Sequence, residues 1–290
     1  MIDPATWRSA LFVSPLSSRH IERAVDCLAD AIVLDLEDAV PRNMKDEARH
    51  AAAGAVQALR SGGTKNVLLR MNRSWSLATQ ELKTAVQHDV SAVVLPKVEF
   101  AGHVSTIDEM LTEFESEAAR EIGAVKLVLL VESALGLHRI DDIINASERV
   151  CAAALGPEDF ALDVHGQPTI RANTAANLSV LYAARRNNIA ALGYPGTIAE
   201  YTDLNAFRVQ VEFARELGFT SAFAIHPQQV RILNAVFAPS GAELEYAHKI
   251  IAAASDAKGG VVAMDGKMID IPVVKRAHQL IARAGGVTAR

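Results

Sequence analysis

The sequence lacks the residues and runs that mark several specialised classes of protein. Its two cysteines, Cys27 and Cys151, stand far apart with no CxxC or Cys/His cluster around them, which argues against a disulfide framework and a zinc site. Its longest apolar runs, such as residues 127–131, fall far short of the roughly 20 residues that span a bilayer. Residues 1–4 include an acid and a proline where a signal peptide needs a basic end and an apolar run. We therefore expect a cytoplasmic protein with no membrane partner.

Positive charge is not gathered in any one stretch of the chain. The 29 Lys and Arg residues are scattered, and the formal net charge is -5. A protein that follows a nucleic acid backbone presents a basic block or stripe to the phosphates. The charge pattern therefore predicts no nucleic acid partner.

What the sequence does contain is an alternation of strand-like and helix-like segments. Short β-branched or Leu-rich runs recur with helical stretches between them, a pattern typical of βαβ units around a parallel sheet. Residues 31–34 and 127–130 are apolar on both faces, as strands covered on both sides must be. The predicted strands are residues 9–14, 31–36, 66–71, 92–98, 126–131, 150–155, 190–194 and 221–225.

This alternation, in a chain of 290 residues, predicts an α/β protein with a single (β/α)8 TIM barrel, a fold that typically occupies about 250 residues. We assign residues 1–258 to the barrel. Its predicted helices include residues 48–59, 77–87, 203–217 and 241–254, and a capping box from Ser240 to Glu243 opens the last of them.

The end of the chain is the one piece that this barrel does not use. Residues 259–290 form a C-terminal extension that follows the Gly259-Gly260 pair and contains a helix predicted at residues 272–284. We expect the extension to pack on the barrel or to be exchanged with a neighbouring subunit.

Acidic residues follow the predicted strands at the end where TIM-barrel enzymes carry their working residues. They are Asp35, Glu37 and Asp38 at the end of the second strand, Glu132 after the fifth, and Glu158 and Asp159 after the sixth. Carboxylates from different strands, with few His and no Cys nearby, form a hard oxygen site suited to Mg²⁺. The pattern therefore predicts a magnesium centre that an anionic substrate chelates.

Each of these charged residues also has a structural interpretation. An acid just after a strand is commonly a helix N-cap or a loop residue, and Lys45 and Arg49 are candidate ion-pair partners for Asp38. Arg70, near the end of an otherwise apolar strand, keeps its charge when buried and needs an anion. Either a substrate or a buried pair with Glu37 or Asp38 supplies that anion.

Several segments, taken together and in order, resemble one known family. They are LDLEDAV (34–40), LPKVE (95–99), VESALG (131–136), LGPED (155–159), AIHPQQV (224–230) and DGKMID (265–270). The chain resembles the citrate lyase beta subunit and malyl-CoA lyase group of the HpcH/HpaI aldolase/citrate lyase superfamily, from about residue 8 to residue 284.

The resemblance implies a TIM barrel, a Mg²⁺ cofactor and a set of catalytic residues. Glu132 and Asp159 look like the two magnesium ligands, and Arg70 looks like the positive group that faces the reacting thioester and carboxylate oxygens. Glu37 and Asp38 are further catalytic candidates.

The resemblance also assigns Asp270 a role between subunits. In relatives the similar acid enters the active site of an adjacent subunit and serves as acid/base. A structural alternative is that Asp270 caps the helix that begins at Ile271-Pro272.

By the same similarity, Phe12 and Arg23 help to hold coenzyme A, and the Ile225-His226 backbone closes the pocket. Glu158 is a further substrate-binding candidate. The alternative for His226 is a strand-end residue that shapes the turn before Pro227.

The implied reaction is a retro-Claisen cleavage of a β-hydroxyacyl thioester such as citramalyl-, malyl- or citryl-CoA into an acyl-CoA and an oxo acid. Two alternatives stay open: a citryl lyase subunit that works with other citrate lyase subunits, and an aldolase for a free hydroxy-oxo acid. The resemblance also implies a homotrimer or homohexamer.

The chain departs from its relatives at two places. Residues 14–18 (SPLSS) stand where many relatives have Pro-Gly-Asn-Arg-Pro, which removes an Arg from a loop near the coenzyme. After the seventh strand many relatives have an Asp, whereas this chain has Tyr194-Pro195-Gly196. The first departure predicts a changed affinity for coenzyme A, and the second predicts a different shape for the pocket beside the oxo acid.

Overall fold

The computed structural model describes residues 2–199, 201–256, 262–264 and 266–287. The chain divides into two compact units, Met1–Ala235 and Val236–Arg290.

The first unit is built on eight parallel strands with helices between them. The strands are β1 (Ser9–Val13), β2 (Ala31–Asp35), β3 (Val67–Arg70), β4 (Ala92–Leu95), β5 (Lys126–Val131), β6 (Val150–Leu155), β7 (Ala190–Leu192) and β8 (Ala222–Ala224). The helices are α1 (Ser18–Val25), α2 (Lys45–Ser61), α3 (Trp75–Gln87), α4 (Ala101–Glu117), α5 (Ala134–His138), α6 (Ile140–Ile144), α7 (Pro157–Asp163), α8 (Ile170–Arg186), α9 (Leu204–Leu217) and α10 (Pro227–Phe237), the last of which crosses the boundary after Ala235.

The strands form a nearly closed barrel. Their order is β7-β6-β5-β4-β3-β2-β1-β8, and a single parallel bridge between Leu192 and Ser221 joins the two outer strands. This arrangement confirms the predicted (β/α)8 TIM barrel. The carboxyl ends of all eight strands therefore meet at one face of the barrel, where the predicted acids lie.

Apolar residues fill both sides of the strands, as the sequence pattern predicted. Val33, Leu68 and Val128 belong to the cluster inside the barrel, and all are fully buried. Ile32 and Leu34, on the other face of β2, are also fully buried. Burial on both faces explains why β2 reads as a continuous apolar run.

Several strands end earlier than the apolar runs predicted. The run at residues 92–98 gives a strand only to Leu95, because Pro96 has no N–H to donate and Lys97 adopts a φ of 52°. The run at 221–225 ends at Ala224, because the N–H groups of Ile225 and His226 donate to the side chain of Gln229 instead of a strand.

The second unit contains a helix, a hairpin and a final helix. They are α11 (Gly241–Asp256), the antiparallel strands β9 (Val262–Met264) and β10 (Lys267–Ile269), and α12 (Ile271–Val287). The predicted capping box is confirmed, because Glu243 N–H donates to Ser240 Oγ and Ser240 N–H donates to Glu243 Oε2.

Helix α11, which we counted among the barrel helices, packs in this second unit. Ala247 and Ile250 of α11 form a buried cluster with Ile269 and Ala277. The predicted division between residues 258 and 259 and the Gly259-Gly260 pair lie outside the described residues. In the described part of the chain, no helix is long and apolar enough to cross a membrane.

A buried histidine makes the stability of the first unit depend on pH. His103 on α4 is 6% exposed, its ring lies edge-on to Trp75, and neither ring nitrogen has a hydrogen-bond partner among the described residues. Burial, with a smaller effect of Arg73, lowers the pKa of His103 from 6.5 to about 4. The folded protein therefore binds fewer protons than the unfolded chain between these two pH values.

We expect His103 to lower the free energy of unfolding as the pH drops from 6.5 to 4, by up to about 1.4 kcal/mol for each pH unit. His103→Leu should remove that part of the slope and leave stability at pH 8 little changed. Urea unfolding of both proteins at several pH values measures it. Equal slopes in the two proteins would contradict the assignment.

Candidate active site

A cavity of about 980 Å³ opens at the carboxyl ends of the barrel strands. Nine of the predicted site residues line it: Phe12, Arg23, Asp38, Arg70, Glu132, Glu158, Asp159, Ile225 and His226. Glu37 is buried and contacts the cavity-lining Arg70. The structure thus gathers these residues from distant parts of the first unit around one space.

Arg70 is the cation at the end of β3. Its Nε and Nη2 donate to the two carboxylate oxygens of Asp35 at 2.8 and 2.6 Å, and its Nη1 lies 3.1 Å from Glu37 Oε2 and 3.5 Å from Asp38. Burial alone would lower the pKa of Arg70, but the hydrogen bond to Asp35 raises it. The guanidinium therefore stays charged. Its forked pair is with Asp35, and the predicted pairs with Glu37 and Asp38 are present as well.

Asp35 also organises the turn that follows β2. Its carboxylate accepts the N–H groups of Glu37 at 2.9 Å and Ala39 at 3.2 Å, in addition to the two bonds from Arg70. A carboxylate that is 2% exposed needs such donors. One residue thus sets the position of both Arg70 and the acids at 37 and 38.

Asp38 does not take either of the partners that its sequence neighbours suggested. Lys45 Nζ donates to the main-chain carbonyls of Leu36 and Glu37, and Arg49 pairs with Asp46. The helix that begins at Lys45 directs these side chains elsewhere. The pairing of Asp38 with Lys45 or Arg49 is therefore wrong.

Lys97, which follows β4, lies among the acids. Its Nζ is 2.7 Å from Glu37 Oε1, 3.9 Å from Asp38 and 3.8 Å from Asp159. Burial alone would lower its pKa, but the hydrogen bond to Glu37 raises the pKa of Lys97 to about 12. Its left-handed backbone turns its N–H toward Glu132 Oε2, at 2.5 Å.

Glu132 ends β5 and is 6% exposed. Burial, together with the nearby charges of Glu37 and Asp159, raises the pKa of Glu132 to about 8. The side chain lies directly over Gly156, where a Cβ atom would come within 2.5 Å of the Glu132 Cγ and Oε1 atoms. Position 156 must therefore be glycine for Glu132 to lie there.

Asp159 and Glu158 lie in the first turn of α7, where acids also interact favourably with the helix N-terminus. Asp159 lines the cavity and is partly exposed, and Glu158 accepts a hydrogen bond from Thr197 Oγ1. Both acids face the space that Glu132 also lines.

The donor set at this end of the cavity fits Mg²⁺. Among the described residues, no group of three or more His, Cys, Asp or Glu side chains is arranged to hold a metal ion. Mg²⁺, however, commonly takes one or two carboxylates and completes its shell with water and substrate. Glu132 and Asp159 supply two oxygen donors. The buried Glu37 Oε2 accepts no hydrogen bond from a described group, and its ion pair is with Arg70 Nη1 at 3.1 Å.

The α1 and α10 side of the cavity has a different character. Phe12 stacks on Phe223 with ring centroids 4.9 Å apart, and the Arg70 guanidinium lies 4.8 Å from the Phe12 ring. Arg23 and Arg231 line the cavity on this side. The cavity is therefore acidic near β5 and β6, whereas near α1 and α10 it is largely apolar with two cations and one acid, Asp26.

His226 forms a turn, as its structural alternative predicts. Its Nδ1 accepts the N–H of Gln228, and its ring stacks on Tyr201 with centroids 5.5 Å apart. Since Gln229 accepts the N–H groups of Ile225 and His226, those donors are already paired.

Asp270 lies in the second unit, at the start of α12. Its Oδ1 accepts the N–H of Val273 at 3.3 Å, so the residue caps that helix. Its role in an adjacent subunit stays a prediction.

Lys97 and Gly156 are the residues that sequence reasoning missed, and Asp35 was counted among the rim acids but not as the partner of Arg70. Lys97 follows a predicted strand segment in a charged motif, and that position is the signal that could have indicated it. Nothing in the sequence indicates that Gly156 faces Glu132.

The fold and the site together define a TIM-barrel enzyme with an acidic, magnesium-compatible centre. The profile of the HpcH/HpaI aldolase/citrate lyase family matches residues 8–227. The chain belongs to this family, which is a family of lyases.

Known proteins agree with this membership. The chain is 32% identical to the citrate lyase subunit beta of Leuconostoc mesenteroides subsp. cremoris over 96% of its own length and 93% of the relative's. It is 30% identical to the L-malyl-CoA/beta-methylmalyl-CoA lyase of Rhodobacter capsulatus over 91% of its own length and 90% of that relative's length. Protein CitE from Mycobacterium tuberculosis, solved with magnesium, acetoacetate and coenzyme A, matches with a TM-score of 0.76 at 25% identity over 96% of this chain and 97% of that one.

Proposed function

We propose that the protein is a Mg²⁺-dependent carbon–carbon lyase that cleaves or forms a β-hydroxyacyl-CoA thioester. The observation that carries the proposal is a single cavity that joins two carboxylates and Arg70 to an apolar side with Arg23 and Arg231. The names of the two relatives, and the magnesium and coenzyme A in the mycobacterial structure, support it.

Glu132 and Asp159 would hold the Mg²⁺. When bound, the ion supplies a Lewis acid and a template for the carboxylate and hydroxyl that become the oxo acid. The cleavage removes the hydroxyl proton, breaks the carbon–carbon bond and leaves its electron pair on the thioester as an enolate. A base takes the proton, and the enolate carbon is protonated to give the acyl-CoA.

Arg70 offsets the charge on the enolate oxygen. Asp35 and the ring of Phe12 fix the guanidinium plane at the cavity wall. Such a preorganised donor stabilises developing charge because it does not reorient during the reaction.

The apolar side of the cavity favours a thioester over a free hydroxy-oxo acid. A free acid would use only the acidic end, whereas Phe12, Phe223 and the two arginines suit the long arm and phosphates of a coenzyme. The missing arginine in residues 14–18 keeps the free-acid aldolase as the alternative. A citrate lyase subunit that acts on a carrier-bound thioester has the same chemistry.

A substrate screen tests the proposal. The protein is incubated with Mg²⁺ and a panel of citramalyl-, malyl-, methylmalyl- and citryl-CoA, and the free hydroxy-oxo acids serve as comparison. We expect release of oxo acid from one or more thioesters, lost on chelation of the metal. Turnover of free acids alone would establish the aldolase instead.

Asp270 is proposed to act as acid/base in a neighbouring subunit of a homo-oligomer. Mixing Asp270→Ala subunits with Glu132→Gln subunits should restore up to about a quarter of wild-type turnover, because some sites then combine an intact barrel with an intact Asp270. Each variant alone should be inactive. If verified subunit exchange restores nothing, Asp270 has only its capping role.

A further inference from the structure

A buried carboxylate that the proposed reaction does not use lies outside the described cavity lining. Glu81 on α3 is 1% exposed and accepts two hydrogen bonds from one residue, Asn72. The backbone N–H of Asn72 donates to Oε2 at 2.7 Å, and its Nδ2 donates to Oε1 at 2.5 Å. Both oxygens of Glu81 are therefore directed at the residue that follows β3 by two positions.

Asn72 connects this carboxylate to the turn after β2. Its Nδ2 also donates to the carbonyl of Leu36 at 2.8 Å. Lys45 Nζ donates to the same carbonyl at 2.7 Å and to the carbonyl of Glu37 at 2.6 Å. The N–H of Leu36 donates to the carbonyl of Arg70 at 3.0 Å.

These bonds tie together the two segments that carry the charged groups of the site. Arg70 lies two residues before Asn72, and Glu37 directly follows Leu36. Loss of a hydrogen bond between Glu81 and Asn72 therefore shifts the main chain that carries the Arg70 guanidinium and the Glu37 carboxylate. A misplacement of about 1 Å at a reacting group costs about 10²-fold in rate.

We propose that Glu81 and Asn72 are positioning residues for Arg70 and Glu37. This inference rests on the proposed function, and it names the groups that keep Arg70 in position for that reaction. Neither residue is among the described residues that line the cavity, so both act through the main chain at the ends of β2 and β3.

Glu115 on α4 offers a matched control. It is also fully buried and accepts two backbone N–H groups, those of Gly123 and Val125, at 2.8 Å each. These precede β5, so Glu115 lies at the amino end of the strands, opposite the cavity. Its network with Arg149 supports the barrel without reaching the site.

The test compares Glu81→Gln with Glu115→Gln. In either variant one of the two accepting oxygens becomes an NH₂ group that cannot accept. We expect Glu81→Gln to lower kcat by about 10²-fold with little change in KM. Glu115→Gln should lower the unfolding temperature at least as much and leave kcat unchanged. Asn72→Ala, which removes only the side-chain bonds, should lower kcat in the same way and serves if Glu81→Gln does not fold.

Amide hydrogen exchange provides a readout that needs no substrate. Glu81→Gln should speed exchange in residues 35–41 and 70–73, and Glu115→Gln should not. If the wild-type protein turns over no substrate, the proposed function fails. The exchange data still test whether Glu81 and Asn72 hold the ends of β2 and β3 in position. An unchanged kcat in both Glu81→Gln and Asn72→Ala, or unchanged exchange in residues 35–41 and 70–73, would overturn the inference.

Discussion

Glu132→Gln should abolish turnover, by at least about 10³-fold, while the protein stays folded. A bound metal stabilises the charge of the transition state by several kcal/mol, and each 1.4 kcal/mol changes the rate about tenfold. Gln keeps an oxygen for the N–H of Lys97 but removes the negative charge through which a carboxylate binds Mg²⁺ strongly. Because burial disfavours the charged form of Glu132, the amide should not lower the unfolding temperature at pH 8 in metal-free buffer.

Turnover of the best substrate and calorimetric titration with Mg²⁺ measure the two effects. Asp142→Asn, an exposed acid on α6, is the control for loss of one negative charge. It should keep both turnover and metal affinity. A Glu132→Gln enzyme that binds Mg²⁺ as tightly as wild type would show that the ligand pair is assigned wrongly.

The barrel could be predicted from the sequence because its strands are buried on both faces. The bounds of β5 and β6 match the apolar runs at 126–131 and 150–155, since the hydrogen-bonded ladder there extends as far as the burial does. At β4 and β8 the runs continue after the ladder stops, because Pro96 and the Gln229 side chain end the pairing. Apolar character reports burial and does not report hydrogen bonding.

The second unit shows a different limit. The pattern of α11 predicted an amphipathic helix correctly, but an apolar stripe does not identify the surface that covers it. Its partners, Ile269 and Ala277, come from the part of the chain that we treated as an extension.

The site was predictable in outline because parallel strands bring their carboxyl ends together. The acids after β2, β5 and β6 therefore had to be neighbours. The pairs of Arg70 with Glu37 and Asp38 agree with the structural alternative from the sequence, but the forked pair with Asp35 was not predicted. The turn after β2 decides, since its N–H groups and Arg70 all point at the Asp35 carboxylate.

That pairing leaves two interpretations of Arg70, and they predict opposite results for one substitution. As a structural ion pair, the guanidinium stabilises the fold by its forked bonds to Asp35. As a catalytic group, it stabilises charge on the substrate. Arg70→Lys keeps the charge and loses the planar fork in either case.

Arg149→Lys measures how much stability is lost when a forked arginine–carboxylate pair outside the site is broken. Arg149 is 3% exposed and donates from Nη1 and Nη2 to Glu115 at 3.0 and 2.7 Å, at the end of the barrel opposite the cavity. Hydrogen bonds to charged groups contribute about 2 kcal/mol each, so this variant should lose stability and keep its turnover.

For Arg70→Lys we expect a loss of turnover of about 10² to 10³-fold, the effect of removing one donor that stabilises developing charge. The loss of stability should be no larger than that of Arg149→Lys, because Arg149 is more deeply buried and its guanidinium also donates to Thr112 and to the carbonyl of Val125. Thermal unfolding and steady-state kinetics on the two variants separate the interpretations. If Arg70→Lys instead unfolds at a much lower temperature than Arg149→Lys, and retains the turnover of wild type below that temperature, Arg70 is a structural residue and the charge on the enolate must be met by another group.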